Sequence, residues 1–274
     1  MNAKWLGGAL MFAAMTTLAM ALAVADGGDR ARSKGLAEWF DHYGVRGTLV
    51  LCQARHEHCD VHNAERADQR FSPASTFKIV NALIGLETFA VRDAHETMAW
   101  DGKPQRVKAW EQDHDLASAM RVSAVWYYQE LARRIGRQRM QLGLDRMQYG
   151  NRQIGAAVDL FWLDGSLTIS AREQLQVLRA LHDATLPFDK EHQATVRNLL
   201  LRAQGEDFSV YAKTGWNDSF GIGWFVGWVE QGADTHYFAL NIDVANNRDA
   251  AARINLIEHV LAQRGLIPAG TQLE

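Results

Sequence analysis

The sequence is poor in proline, in cysteine and in runs of one charge. Four prolines in 274 residues, with no low-complexity tract, exclude a linker-rich or collagen-like chain. No long Lys/Arg run is present and the formal net charge is −3, which argues against a dedicated nucleic-acid binder. Beyond the N-terminus, no stretch is apolar for long enough to cross a bilayer. There is no internal repeat. What is there is ordinary globular material: 47% hydrophobic and 22% charged residues exclude a disordered tail protein. A chain of this length buries a large core, as one large domain or two interleaved ones.

Residues 1–23 carry one charge, Lys4, before an apolar run from about Leu10 to Ala23. The run closes on two small-residue sites, Ala21-Leu22-Ala23 and Ala23-Val24-Ala25. This is the layout of a cleaved signal peptide, and the run falls short of the ~20 residues that a membrane span needs. An exported chain meets an oxidising compartment, where Cys52 and Cys59 can pair. The segment Gly47 to Cys52 reads as a strand, and the polar stretch Gln53 to His58 turns it back so that Cys59 faces Cys52 across a hairpin. The same hairpin carries His56-Glu57-His58-Cys59-Asp60-Val61-His62, a spacing near that of zinc hydrolases. Its last histidine comes one residue late and Cys59 has a partner, so a solvated hairpin tip is the better reading and no metal is expected.

The rest of the chain divides coarsely. A short helix (Leu36 to Tyr43) precedes the first strands, and the middle is mostly helical. Trp126 to Leu142 has helical apolar spacing, and Ser170-Ala171-Arg172-Glu173 is a capping box ahead of Leu175, Leu178 and Leu181. Strands return at Asp207–Lys213, Phe220–Val229 and Thr235–Val244, followed by an amphipathic helix over Asp249–Gln263. Strands at both ends predict one antiparallel sheet built from both termini, with the last helix on one face and a helical lobe inserted between. The expected class is α+β, with residues 24–72 and 204–274 forming an α/β lobe and 73–203 a helical lobe. A cleft between lobes is a usual place for a site.

Four short motifs carry the chemistry. Ser72-Pro73 reads as an N-cap and first helical position, placing Ser75 and Lys78 three apart on one helix face. A serine hydroxyl needs a base to become a nucleophile, and a lysine among apolar neighbours gives up its proton more easily. Taken alone, the pair reads better as a capped helix start with a snorkelling lysine. Lys213-Thr214-Gly215 ends a strand and offers a cation, a hydroxyl and a close backbone approach to an anionic ligand. Ser123-Ala124-Val125 and Tyr149-Gly150-Asn151 are individually unspecific.

In this order, Ser75-Thr76-Phe77-Lys78, Ser123-Ala124-Val125, Tyr149-Gly150-Asn151 and Lys213-Thr214-Gly215 resemble the motif set of the class D serine β-lactamases, the oxacillinase type of the penicillin-recognising serine enzymes. The likeness runs from about Leu36 to Leu261. It implies a two-lobed β-lactamase/transpeptidase-like fold, a Cys52–Cys59 bridge, and hydrolysis of small-molecule β-lactams through an acyl-enzyme on Ser75. It further implies that Lys78 is carboxylated by carbon dioxide or bicarbonate and serves as general base in both acylation and deacylation, with the Trp162 indole holding the carbamate. Phe77, Val125 and Leu163 keep the pocket dry. Ser123, with Lys213, relays a proton to the leaving nitrogen. Backbone N–H groups of Ser75 and Trp216 form the oxyanion hole, Gly215 lines the substrate site, and Thr214 and Arg253 meet the substrate carboxylate, with Arg248 as the rival arginine. The same resemblance, with the leader, implies a periplasmic enzyme with no stable membrane anchor after processing. The rivals are a β-lactam sensor acylated without turnover and a D-alanyl-D-alanine peptidase. Substrate range depends on loops near Met120, Trp216 and Asn217–Ser219, and neither it nor the oligomeric state is readable.

Overall fold

The computed structural model describes residues 35–55 and 59–273. The leader (1–23) lies outside the described residues, as do His56, Glu57 and His58 of the histidine-rich hairpin tip. A first helix, α1, covers 35–43. It is followed by β1 (Gly47–Gln53), β2 (Cys59–His62), α2 (Ala64–Asp68), a 3-10 turn (Ala74–Phe77) and α3 (Lys78–Glu87). The helical middle continues through α4 (Leu116–Val122), α5 (Val125–Ile135), α6 (Arg137–Met147), α7 (Ala171–His182) and α8 (Lys190–Leu199). The chain then returns to strands β3 (Leu201–Gln204), β4 (Phe208–Asn217), β5 (Ile222–Gln231) and β6 (Asp234–Asp243) and ends on α9 (Asn247–Gln263).

The six strands form one antiparallel sheet in the order β2-β1-β6-β5-β4-β3, so β1 from the N-terminal part pairs with β6 near the C-terminus. This is the α+β arrangement that strands at both ends predict. β5 is buried along eight consecutive residues because both sheet faces are covered. Trp224, Val226 and Trp228 point into the core shared with α3, α5 and α7, whereas Phe225 and Val229 point to Leu36 and Phe40 of α1 and Leu256, Ile257, Val260 and Leu261 of α9. Each such fully buried side chain contributes roughly 1.5–3 kcal/mol of transfer free energy. The capping box forms as expected: Glu173 N–H donates to Ser170 Oγ (3.2 Å) and Ser170 N–H to the Glu173 carboxylate (2.9 Å).

Four local expectations need correction. The helix read over Trp126–Leu142 is two helices, α5 and α6, broken at Gly136 with φ +76°, a conformation that apolar spacing does not reveal and glycine adopts without steric cost. The strand read over Phe220–Val229 starts at Ile222, since Asp218–Phe220 is a 3-10 turn in which Asn217 accepts from Ser219 N–H (3.2 Å). Ser72 caps no helix: its hydroxyl donates to the Trp162 carbonyl (2.8 Å) instead, and Pro73 occupies the cap position. Finally, Lys213-Thr214-Gly215 does not end its strand, because β4 continues to Asn217.

Cys52 and Cys59 sit opposite each other in the β1–β2 register and are bonded. Cys59 is thereby occupied, Asp60 pairs with Arg264 (2.9 Å), and His62 stacks on Phe40 with ring centroids 4.0 Å apart. A crosslink with a sequence separation of 7 restricts only a short loop of the unfolded chain. Cys52→Ser/Cys59→Ser should therefore fold to the same secondary structure and lose about 2–3 kcal/mol, read as a lower midpoint in equilibrium denaturation.

Candidate active site

The Ser75 turn is held from three sides. Ala74 has φ +49°, a left-handed conformation costly for alanine, and its N–H donates to the Trp162 carbonyl (3.2 Å). Asn217 Nδ2 donates to Ser72 Oγ (3.1 Å) and to the Leu163 carbonyl (2.8 Å), and the Trp224 indole donates to the Ser72 carbonyl (2.8 Å). Gln174 of α7 donates to Thr76 Oγ1 (2.7 Å), which itself donates to the Pro73 carbonyl (2.7 Å). These bonds tie α7, the 161–163 loop, β4 and β5 to one turn. The roles of Ser72, Gln174, Asn217 and Trp224 were not legible in sequence, because each partner lies some 50 or more residues away. Only the position of Asn217 just beyond Lys213-Thr214-Gly215-Trp216 offered a signal.

From this turn the half-buried Ser75 faces the first residue of α3, and Lys78 Nζ lies 2.6 Å from Ser75 Oγ. Lys78 is fully buried, with its amine 5.6 Å from the Tyr128 ring centroid. Phe77 beside it stacks on Trp162 and meets Phe161 and Tyr149 edge-to-face. No carboxylate pairs with Lys78 among the described residues. Burial therefore disfavours the ammonium and pushes the Lys78 pKa down to about 7. Trp162 is also buried, and its indole N–H has no hydrogen-bond partner among the described residues.

On the opposite wall, Lys213 Nζ donates to Ser123 Oγ (3.0 Å) and to the Thr214 carbonyl (2.9 Å). Ser123 ends α4 in a left-handed conformation, φ +58°. Burial, then the cations Lys78, Arg202 and Arg253, hold the Lys213 pKa well below that of a free lysine. Strand β3 pairs β4 only up to Tyr211, so beyond Ala212 that edge of β4 has no strand partner and runs beside the Ser75 turn. The approach is close and favours glycine: a Cβ on Gly215 would lie 3.0 Å from the Pro73 carbonyl oxygen and 3.1 Å from Thr76 Cγ2, tighter than most Cβ contacts. A cleft of about 460 Å³ opens here, lined by Ser75, Ser123, Val125, Leu163, Thr214, Trp216 and Arg253.

Arg253 reaches the cleft from α9. It is buried, donates from Nε to the Ala250 carbonyl (2.6 Å) and from its terminal nitrogen to the Gly215 carbonyl, and burial pushes its pKa down to about 10. Arg248 is exposed and does not line the cleft. The sequence reading missed the roof. Arg106 pairs with Asp218 and lies over the Trp216 ring (5.1 Å), joining the 105–107 loop to the β4–β5 turn across the mouth. Tyr149-Gly150-Asn151 stands behind the cleft as scaffold. Tyr149 is buried against Phe77, and Asn151 accepts from Thr168 N–H (3.0 Å) and donates to the Ser166 carbonyl (2.7 Å).

The arrangement places a hydroxyl against a neutralisable amine in a dry recess, a second hydroxyl–amine pair across from it, and a guanidinium at the far end. Such a site suits nucleophilic attack on an anionic carbonyl compound. The comparisons agree with this class. The penicillin binding protein transpeptidase domain family matches residues 45–261. More narrowly, the chain is 39% identical over 267 residues to beta-lactamase OXA-5 of Pseudomonas aeruginosa, covering 93% of this chain and all of that protein. It is 41% identical over 222 residues to the probable beta-lactamase YbxI of Bacillus subtilis, covering 81% and 82%. Among solved structures, the class D β-lactamase YbXI from Nostoc superposes with a TM-score of 0.83 at 39% identity, covering 85% of this chain and 99% of that one. The chain belongs to the class D β-lactamases.

The buried amine makes a prediction. Between pH 7 and a lysine's usual 10.5, the folded state has released a proton that the unfolded state still binds. Stability should therefore rise with pH across that window, by up to about 1.4 kcal/mol per unit, and be flat in this respect below it. In degassed buffer, Lys78→Met should lose this part of the slope. Equal slopes in wild type and variant, measured by urea denaturation at pH 6–10, would contradict the burial argument.

Proposed function

We propose that this enzyme opens the cyclic amide of β-lactam antibiotics through an acyl-enzyme on Ser75 and releases the product acid by hydrolysis, so that it confers resistance on its producer. The observation that carries the reading is the 2.6 Å contact between Lys78 Nζ and Ser75 Oγ on the sheltered side of the cleft. Ser75 Oγ attacks the lactam carbonyl while its proton passes to the Lys78 side chain. The carbonyl oxygen takes up charge beside the backbone N–H groups of Ser75 and Trp216; loss of one such donor in other hydrolases costs about 3 kcal/mol. As the C–N bond breaks, Ser123 gives its proton to the ring nitrogen and recovers one from Lys213, and the proton that Lys78 took from Ser75 passes on to Lys213, which leaves Lys78 unprotonated for the second step. Thr214 and Arg253 hold the substrate carboxylate, the latter through its bidentate fork. Water then loses a proton to Lys78, attacks the acyl carbon and displaces Ser75 Oγ, which regains its proton.

Two features support carboxylation of Lys78 by carbon dioxide. Only a neutral amine adds carbon dioxide, and burial brings Lys78 to neutrality near pH 7. The buried, unpartnered Trp162 N–H is a donor suited to an added oxygen. The carboxylated amine supplies an anionic oxygen as the base in place of the amine nitrogen. Export through the N-terminal leader into the periplasm completes the reading; no helix among the described residues is long and apolar enough to cross a membrane.

Intact-mass measurement after brief exposure to a penicillin should show an adduct that decays in wild type and never forms in Ser75→Ala, with sustained nitrocefin turnover. A persistent stoichiometric adduct without turnover would instead identify a sensor, and turnover of D-alanyl-D-alanine peptides alone a peptidase. Labelled bicarbonate should give a carbamate carbon signal that is absent in Lys78→Ala and diminished in Trp162→Phe. Below about pH 7 without bicarbonate the amine takes up a proton, so turnover should fall and added bicarbonate should restore it. A wild type with no carbamate signal at neutral pH would leave the unmodified amine as the base.

A further inference from the structure

Behind the Ser123–Lys213 pair lies a second cavity, of about 310 Å³, lined by Ala117, Arg121, Asn198, Leu199, Leu201 and Arg202. Two of its six lining residues are arginines and none is acidic. Among the described residues, neither arginine has an ion-pair partner, although most other arginines here pair with a carboxylate. Arg202 is half-buried, and its bond within the protein runs from Nε to the Ala212 carbonyl (3.2 Å). Burial lowers its pKa, as expected for a guanidinium set partly out of water without a counter-ion. Arg121 lies in the last turn of α4 and is exposed. Two guanidiniums without ion-pair partners, together with Asn198, thus line a cavity wide enough for a small hydrated oxyanion.

The position matters more than the charge. Arg121 is two residues before Ser123 on α4, and Arg202 holds the carbonyl of the residue before Lys213 on β4. An anion accepting from both would crosslink, from behind, the two elements whose side chains form the Ser123–Lys213 hydrogen bond. We propose that the cavity between α4, α8 and β3 is an oxyanion site for inorganic phosphate, and that its occupation braces the Ser123–Lys213 pair. Binding stands independently of the catalytic reading, whereas the bracing effect rests on it.

The test is calorimetric titration of the full chain with inorganic phosphate at fixed ionic strength, with wild type, Arg121→Gln, Arg202→Gln and Arg152→Gln, the last an exposed arginine outside this cavity. Wild type and Arg152→Gln should bind one phosphate with a dissociation constant of about 1 mM or below. Arg121→Gln and Arg202→Gln should bind at least about tenfold more weakly. Arg121 is exposed, so its variant keeps the test valid if Arg202→Gln fails to fold. No phosphate binding to wild type, or equal binding to wild type and Arg121→Gln, overturns the site. Nitrocefin hydrolysis at subsaturating substrate should rise with phosphate in wild type and stay flat in Arg121→Gln; binding without that rise overturns the bracing effect while leaving the site. Should no lactam be hydrolysed at all, the titration still decides the site.

Discussion

A lysine amine kept out of water is the constraint around which the helical lobe is arranged. Lys78 has no carboxylate to pair with, so its surroundings must tolerate a group that is charged in the unfolded chain and close to neutral in the folded one. Tyr128, Phe77, Trp162, Phe161 and Tyr149 provide that environment from α5, the 3-10 turn, the 161–163 loop and the segment just after α6. The cost is a destabilising burial, and the return is chemical: an amine that is basic yet unprotonated beside a serine. The Trp162 N–H, buried and without a hydrogen-bond partner among the described residues, is unused polar capacity on a ring that stacks against Phe77.

The opposite wall obeys a different constraint. Lys213 is as buried as Lys78, but it is bonded to Ser123 and to a backbone carbonyl, and it stands on a strand whose free edge passes the nucleophile turn. The absence of a side chain at position 215 eases this close approach. Burial first, and then the neighbouring cations Lys78, Arg202 and Arg253, lower the Lys213 pKa, whereas burial alone lowers that of Lys78. The two walls thus differ in kind: the more apolar recess holds Lys78, and the more polar wall carries Lys213 and Ser123, with Arg253 bonded to the Gly215 carbonyl.

Much of this could be read along the chain. The spacing Ser75-x-x-Lys78 needs only one helical turn, so its geometry is local, and the structure returns it as a direct hydrogen bond. The capping box at Ser170 and the apolar face of α9 are local in the same sense. Failures came where a distant partner overruled a local preference. Ser72 has the chemistry of a cap, yet the Trp162 carbonyl and Asn217 claim its hydroxyl. Gly136 sits within an unbroken apolar rhythm and still divides two helices, because the rhythm is indifferent to one residue's φ. Arg106 and Asp218, 112 residues apart, carry no sequence sign that they meet over the cleft.

By itself, the sequence determined the residue types and local pairings of the chemistry: a serine one turn from a lysine, a Lys-Thr-Gly triplet beside a sheet, and two cysteines placed to cross a hairpin. It also determined the α+β class, since apolar periodicity and capping act over a few residues. Only the tertiary structure decided that Ser123 meets Lys213, that Arg253 rather than Arg248 enters the cleft, that Trp162 keeps an unpartnered buried donor, and that Arg121 and Arg202 share a cavity. Those outcomes depend on burial and on which distant segments pack together, and desolvation is a property of the whole surrounding volume rather than of any stretch of chain.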